Sequence, residues 1–106
     1  MINNEYFEKF KDPRWQKIRL EIMERSDWKC DVCRAETKTL NIHHGYYKYG
    51  IDPWDLPKDT LWCLCDQCHQ EAQQNLAEIK LELGRISPED YEDVLRSLWL
   101  LQGEDN

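Results

Sequence analysis

The feature that most constrains this chain is a window that opens and closes with a pair of cysteines. Cys30 and Cys33 form the first CxxC pair, and Cys65 and Cys68 form the second. A CxxC turn brings two sulfur atoms to one ion, and two such turns complete the tetrahedral thiolate set of a structural zinc site. The spacing therefore predicts a four-cysteine zinc site that joins the two ends of the window.

Two other roles are open to paired cysteines, a redox-active pair and free buried thiols. A thioredoxin-type CxxC pair is expected next to a βαβ unit, and this sequence shows no such pattern. The chain has a fifth cysteine, Cys63, which the four-thiolate zinc site does not need. We interpret Cys63 as a small buried apolar residue, with a substitute metal ligand as the alternative.

Length and composition favour one globular domain. The chain has 106 residues, of which 41% are hydrophobic and 33% charged, and no stretch is apolar enough to span a membrane. The N-terminal residues lack the basic start and apolar run of a secretory signal, so a cytoplasmic location is expected. In that reducing compartment, CxxC pairs bind metals more often than they form disulfides.

The charge of the chain is uneven. The formal net charge is -7, with ten basic and eight acidic residues at positions 1–50 but four basic and thirteen acidic residues at 51–106. Lys and Arg contacts to phosphates supply most of the sequence-independent affinity for nucleic acids, so an acidic chain binds polyanions poorly in general. Any nucleic-acid contacts are therefore predicted in the first half, or through a bound cation.

The apolar periodicity predicts three helices and two short strands, an α+β fold. Asp12 and Pro13 mark the first helix, because an Asp side chain caps a helix N-terminus and Pro fits its first turn. One helix is expected at residues 13–26, a second after the turn of the second cysteine pair (65–68) as far as about residue 83, and a third after Ser87-Pro88. The strands are expected at 39–44 and 60–64.

All three histidines of the chain lie inside the cysteine window. His43 and His44 end the first predicted strand, and His69 directly follows the last cysteine, so the metal clip is expected to bring them near one another. A catalytic metal with few protein ligands keeps positions open for water and phosphate. A neutral His beside it can accept a proton from the attacking water. Two His ligands and one His base suffice to hydrolyse a phosphodiester.

Strand geometry sets a condition on this second site. His43 and His44 point to opposite faces of a regular strand, so both serve one site only if the chain leaves strand geometry there, which Gly45 makes easy. The alternative interpretation is that the histidines lie on the surface or merely support a site.

Together, Cys-x-x-Cys, His-His and Leu-Cys-x-x-Cys-His resemble the HNH nuclease family, also called the ββα-metal or His-Me finger family. The helix start Pro13-Arg14-Trp15 and the loop dipeptide Pro53-Trp54 resemble its small bacterial and phage members. The resemblance covers roughly residues 12–72. It implies a ββα-metal core with a four-cysteine zinc clip and an N-terminal helix, followed by a helical C-terminal extension at 73–106, within one domain of residues 1–106.

The resemblance also implies a function, that of a metal-dependent DNA endonuclease that nicks or cuts both strands. His43 and His69 match the ligands of the catalytic metal, which in the family is often Mg2+, Mn2+, Ni2+ or Zn2+, and His44 matches the general base. Thr60 stands where the family has an Asn that braces the loop and orients the base. A Thr side chain can make one such hydrogen bond, but not the same pair.

DNA is the partner that the resemblance implies, and the basic residues of the first half are its candidate contacts. These residues are Arg14, Lys17, Arg19, Lys29, Arg34, Lys38 and Lys48. For any one of them, an ordinary solvated helix surface is the simpler interpretation. Lys48 lies among Tyr46, Tyr47 and Tyr49, which can pack either on sugars or on the helices.

A different class of function fits the same residues, a non-catalytic zinc-binding module that is derived from the HNH fold and binds DNA or a protein. Thr60 in place of Asn and the acidic second half favour it. The last helix crowds Leu98, Trp99, Leu100 and Leu101 together, which offers a face for a protein partner or a homodimer. Cleavage of DNA in the presence of a divalent metal discriminates between the two functions.

Overall fold

The helices and strands confirm the predicted α+β class. The computed structural model describes residues 4–46 and 48–103, so Tyr47 lies outside the described part of the chain. Short 3-10 turns occur at Pro53–Asp55, Lys58–Thr60 and Pro88–Asp90. The regular elements are α1 (Asn4–Lys9), α2 (Pro13–Arg25), β1 (Leu40–His44), β2 (Leu61–Cys65), α3 (Asp66–Leu83) and α4 (Tyr91–Leu101).

The chain divides into two compact units, Met1–Ala72 and Gln73–Asn106. The boundary between the two units falls inside α3. The assignment of both parts to one domain stays a prediction.

Helix α2 begins with the predicted cap. The Asp12 carboxylate accepts the backbone N–H of Arg14 at 2.8 Å, and Pro13 occupies the first turn. The helix buries Trp15 and Ile22 on one side and ends at Arg25, one residue earlier than predicted. Asp27 and Trp28, which follow the helix, have positive φ angles of 60° and 57°. These angles turn the chain towards the first cysteine pair.

Strands β1 and β2 form a two-stranded antiparallel ribbon, with Ile42 opposite Cys63 and His43 opposite Trp62. Since partners across an antiparallel pair share a face, Ile42 and Cys63 lie on the side that packs in the core with α2. That core comprises Trp15, Ile22, Met23, Ile42, Leu56, Leu61 and Cys63. A second buried cluster contains Cys30, Leu64, Cys65 and Cys68.

The sequence predicts a separate turn at the second cysteine pair, followed by a helix, and this prediction is wrong. Strand β2 runs through Cys65, and α3 begins at the next residue, Asp66, so Cys68 lies in the first turn of the helix. An acidic residue at this position is favourable, because the helix N-terminus carries partial positive charge. Strand β2 also begins one residue later than predicted, since Thr60 belongs to a 3-10 turn.

Unit 73–106 contains the second part of α3 together with α4. Among its described residues, 73–103, none is buried. Its exposed large apolar side chains are Ile79, Leu81, Leu83, Tyr91, Leu95, Leu98, Trp99, Leu100 and Leu101. Throughout the described ranges, every helix is too short or too polar to cross a bilayer.

Candidate metal sites on the β1–β2 ribbon

The four predicted cysteines come together. The sulfur atoms of Cys30, Cys33, Cys65 and Cys68 all lie within 4.8 Å of one another, and the Cys33 and Cys65 sulfurs are 3.8 Å apart. Zinc bonds to sulfur at about 2.3 Å, so a tetrahedral site requires sulfur–sulfur separations of about 3.8 Å. The donor set therefore fits a metal ion such as zinc.

Two hydrogen bonds of Asp31, one through its backbone and one through its side chain, attach the first cysteine pair to β2. The N–H of Asp31 donates to the carbonyl of Cys63 at 2.7 Å, and the Asp31 carboxylate accepts the N–H of Cys63 at 2.9 Å. Arg34 closes the turn, because its N–H donates to the carbonyl of Cys30 at 3.0 Å. Arg34 does so with a positive φ of 66°, a conformation that favours glycine.

The thiols of the cluster differ in acidity. Burial alone raises the pKa of Cys30, but backbone N–H groups of Cys33, Cys65 and Val32 donate to its sulfur and lower that pKa to about 6 overall. The pKa of Cys68 shifts in the opposite direction. The hydrogen bond of its thiol with the Cys65 sulfur, and then its burial, raise this pKa to about 12. Metal ligation requires thiolates, so metal binding at this cluster releases protons.

Cys63 lies outside this group. Its side chain is buried in the core with Ile22 and Leu61, and burial raises the pKa of its thiol. This position agrees with the interpretation of Cys63 as a small apolar residue rather than a substitute ligand.

Two of the three histidines meet on the other face of the ribbon. The rings of His43, near the end of β1, and His69, in the first turn of α3, lie edge to face with centroids 5.5 Å apart. A hydrogen bond from the Asn41 side-chain amide to the Asp66 carboxylate joins the same two elements. Burial, followed by the nearby charge of His69, lowers the pKa of His43. A lowered pKa favours the neutral imidazole that binds metals.

His44 does not join this pair in the described conformation. Its ring stacks on Trp15, with centroids 5.0 Å apart and an angle of 26° between the planes, and meets Phe10 edge to face at 5.6 Å. Burial, and then the charges of His43 and His69, lower the pKa of His44 to about 4. His44 is therefore neutral at pH 7.

The chain keeps strand geometry at the two adjacent histidines. Strand β1 includes both, with His44 opposite Leu61, and the N–H of Gly45 continues the ladder to the carbonyl of Thr60 at 2.9 Å. His43 and His44 consequently face opposite sides. In the described part of the chain, the four cysteines are the only group of three or more His, Cys, Asp or Glu residues whose ligand atoms lie within 4.8 Å of one another.

Thr60 braces the end of β1 mainly through its backbone. Its carbonyl accepts the N–H of Gly45, the residue after His44, while its hydroxyl donates to the carbonyl of Pro57 at 2.6 Å. The side chain thus makes one loop hydrogen bond, and the contact to the histidine strand comes from the main chain. That main-chain contact does not depend on whether residue 60 is Thr or Asn.

Two of the seven candidate DNA contacts are engaged within the protein. Arg14 forms hydrogen bonds of 3.0 Å with both carboxylate oxygens of Asp12, and its guanidinium carbon lies 4.0 Å from the centroid of the Trp54 ring. Lys29 forms an ion pair with Glu36 at 3.3 Å. Arg19 is half-buried, whereas the other four candidates are exposed: Lys17, Arg34, Lys38 and Lys48.

Three residues close to these sites, Asp31, Asn41 and Trp62, were not among the candidates predicted from the sequence. Strand alternation contained a signal for the last of them, because Trp62 lies between Leu61 and Cys63 and must face away from the core that they enter. The two polar contacts join residues 25 to 32 positions apart, and local patterns carry no signal for such partners.

Comparison with protein-family models, with curated proteins and with solved structures found no match for this chain.

Proposed function

We propose that this protein is a metal-dependent DNA endonuclease of the HNH type, with a structural zinc in the four-cysteine group. The observation that supports this most is the His43–His69 pair, whose ring centroids lie 5.5 Å apart. A His nitrogen lies about 2.0–2.1 Å from a bound zinc ion, so two imidazoles on one ion have centroids roughly 5 Å apart. The pair is near that separation before any ion is added.

The chemistry assigned to the pair needs few protein ligands. His43 and His69 would hold Mg2+, Mn2+, Ni2+ or Zn2+ and leave the remaining positions open to phosphate and water. Such an ion, when bound, neutralises the scissile phosphate and stabilises the leaving oxygen. The cysteine group contributes by fixing the start of α3, and therefore His69, against the ribbon that carries His43.

His44 is proposed as the general base. In the stacked conformation it is neutral at pH 7, because burial lowers its pKa to about 4. Leaving the buried position removes the main cause of that lowering, so the imidazole becomes basic enough to accept a proton from water. In the described conformation its ring stacks on Trp15. Because His43 and His44 face opposite sides of β1, the proposal requires the chain to leave strand geometry at His44 when substrate binds, so that the ring leaves Trp15 and reaches the side that carries His43.

Nicking of supercoiled plasmid tests the proposal, with each of the four metals added to zinc-loaded protein. We expect nicking with at least one metal and its loss in His43→Ala and His69→Ala. His44→Phe is the sharper test of the base, because Phe retains an aromatic ring against Trp15 but accepts no proton. Undiminished nicking by His44→Phe rules out His44 as the base, and undiminished nicking by both Ala variants rules out the metal pair.

A non-catalytic interaction module remains the second candidate, and unit 73–106 favours it. The apolar side chains of α4, among them Leu95, Leu98 and Trp99, are exposed in the described structure. A docked protein or a second copy of the chain would cover them. This candidate predicts no cleavage with any metal and a dimer or stable complex in light scattering, whereas a monomer that nicks DNA contradicts it.

The partner and the location follow from the same proposal. DNA is the proposed substrate, and the exposed cations Lys17, Lys38 and Lys48 are its first candidate contacts. We place the protein in the cytoplasm, where reducing conditions keep thiols available to zinc. All five cysteines are free thiols in the structure.

A further inference from the structure

Trp62 presents an aromatic surface next to the histidine pair. It lies opposite His43 in the ribbon, and partners across an antiparallel pair project to the same face. A Cβ atom built on Gly45 would lie 3.6 Å from the indole nitrogen of Trp62, so the indole rests across the glycine at the end of β1. The side chain is nevertheless 47% exposed. Much of this large aromatic side chain is therefore accessible to a ligand that binds beside the histidine pair.

No other tryptophan combines exposure with this position, and all five lie in the described ranges. Trp15 is buried, and the ring of Trp54 is covered by a guanidinium group 4.0 Å from its centroid. Trp99 belongs to unit 73–106. Trp28 is 50% exposed but lies on the turn after α2. Trp62 alone is both exposed and on the face that carries His43.

The charge of the chain favours recognition by stacking. With a net charge of -7, the protein has few cations for the phosphate contacts that dominate when a basic surface binds DNA, so stacking must supply a larger share of its affinity. Stacking of a base on an aromatic side chain does not depend on net charge. It changes the affinity by a factor of roughly 5 to 150 per base, as judged from alanine substitutions.

We infer that Trp62 is the stacking platform for an unpaired base of single-stranded DNA, beside the phosphodiester that the His43–His69 site would cleave. This inference rests on the proposed endonuclease function and names its substrate class. A base in a duplex has both faces covered by its neighbours, so only an unpaired base presents a free face to an indole. Double-stranded DNA of the same sequence is therefore the weaker ligand.

Binding of a fluorescein-labelled oligothymidylate to zinc-loaded protein tests the platform without cleavage, since no second metal is added. We expect Trp62→Ala to weaken binding about 10-fold and Trp62→Phe to weaken it less than about 3-fold. Trp28→Ala is the matched control, a similarly exposed tryptophan away from the histidine pair, and should bind like the natural protein. Equal effects of Trp62→Ala and Trp28→Ala, or no effect of either, overturn the inference.

A second readout covers the case in which Trp62→Ala does not fold. Stacking quenches indole fluorescence, so single-stranded DNA should quench the natural protein and the Trp28→Phe variant strongly and Trp62→Phe much less. Equal quenching of all three overturns the platform. A matched duplex should bind more weakly to the natural protein and should be insensitive to Trp62→Ala, whereas an equal loss for duplex and single strand contradicts base stacking.

The outcomes for the platform and for the endonuclease are separable. If no metal supports cleavage but Trp62→Ala still weakens single-strand binding, the endonuclease proposal fails and the platform stands. If the natural protein cleaves single-stranded DNA and Trp62→Ala binds and cleaves it equally well, the endonuclease stands and the platform is wrong.

Discussion

His44 stacks on Trp15, with ring centroids 5.0 Å apart and planes inclined by only 26°. The contact places the proposed general base on the α2 side of the ribbon, while His43, one residue earlier, faces α3. One strand thus contributes to both the apolar core and the proposed metal site. His44 consequently has a structural effect that can be measured whether or not it is catalytic.

Protonation of His44 should destabilise the fold at acid pH. Burial lowers its pKa from the ordinary 6.5 to about 4, so the unfolded chain binds this proton more readily than the folded one. The stabilisation is complete above pH 6.5 and is lost as the pH falls towards 4. Allowing for partial exposure of the ring, we expect a loss of about 2 kcal/mol in the free energy of unfolding.

The control for this prediction is His44→Phe, which keeps the stack and cannot be protonated. Urea unfolding of both proteins at pH 7, 5.5 and 4.5 should show a difference in stability that grows in favour of the Phe variant as the pH falls. Protonation of the cysteines affects both proteins and cancels in the difference. Parallel pH profiles would show that the ring is not buried as described.

Removal of the metal from the cysteine group should unfold unit 1–72. The four sulfurs join the segment after α2 to β2 and α3, and structural zinc sites contribute about 10–16 kcal/mol of apparent binding free energy in small zinc-binding peptides. We expect a chelator to release one zinc per chain and to abolish cooperative thermal unfolding of this unit. Circular dichroism and a zinc-release assay measure the two effects.

Two neighbouring cysteines provide matched variants. Cys65→Ser removes a ligand and should lose zinc, whereas Cys63→Ala removes a core sulfur outside the ligand group and should retain one zinc per chain. The Cys63 variant should lose only about 1 kcal/mol of stability, because it deletes a small buried side chain. Loss of zinc from both variants would assign Cys63 to the ligand set.

Local patterns predicted the parts of this fold that depend on neighbouring residues. The Asp12 cap, the α2 helix, both strands and the cysteine group follow from spacing and periodicity. The start of α3 directly after Cys65 was missed, because a CxxC pair reads as an isolated turn until its second cysteine is placed on a helix. The side-chain position of His44 was missed for another reason. It depends on Trp15 and Phe10, about thirty residues earlier in the chain, and no local pattern reports such packing.

The hydrogen bond from Asn41 to Asp66 should help to position the histidine pair. It joins β1 to the first turn of α3, two residues from His43 and three from His69. We expect Asn41→Ala to cost about 1 kcal/mol of stability and to weaken Mn2+ binding several-fold in calorimetry of zinc-loaded protein. Gln67→Ala is the control, since its amide hydrogen bond to Glu71 stays within α3. Equal Mn2+ affinity in the two variants would show that the Asn41 contact does not position the pair.

Arg34 offers a test of the backbone of the first cysteine turn. It adopts a φ of 66°, which costs about 1 kcal/mol for a residue other than glycine, so Arg34→Gly should stabilise unit 1–72 by about that amount. Arg34→Ala removes the same charge but keeps the unfavourable φ, and should change stability by less than about 0.5 kcal/mol. Thermal unfolding at saturating zinc measures both, and we expect the Gly variant to melt about 4–8 °C higher than the Ala variant. Equal melting temperatures would show that the turn relaxes without left-handed geometry. An equal loss of DNA binding in both variants would identify the guanidinium charge, rather than the turn, as a contact to DNA.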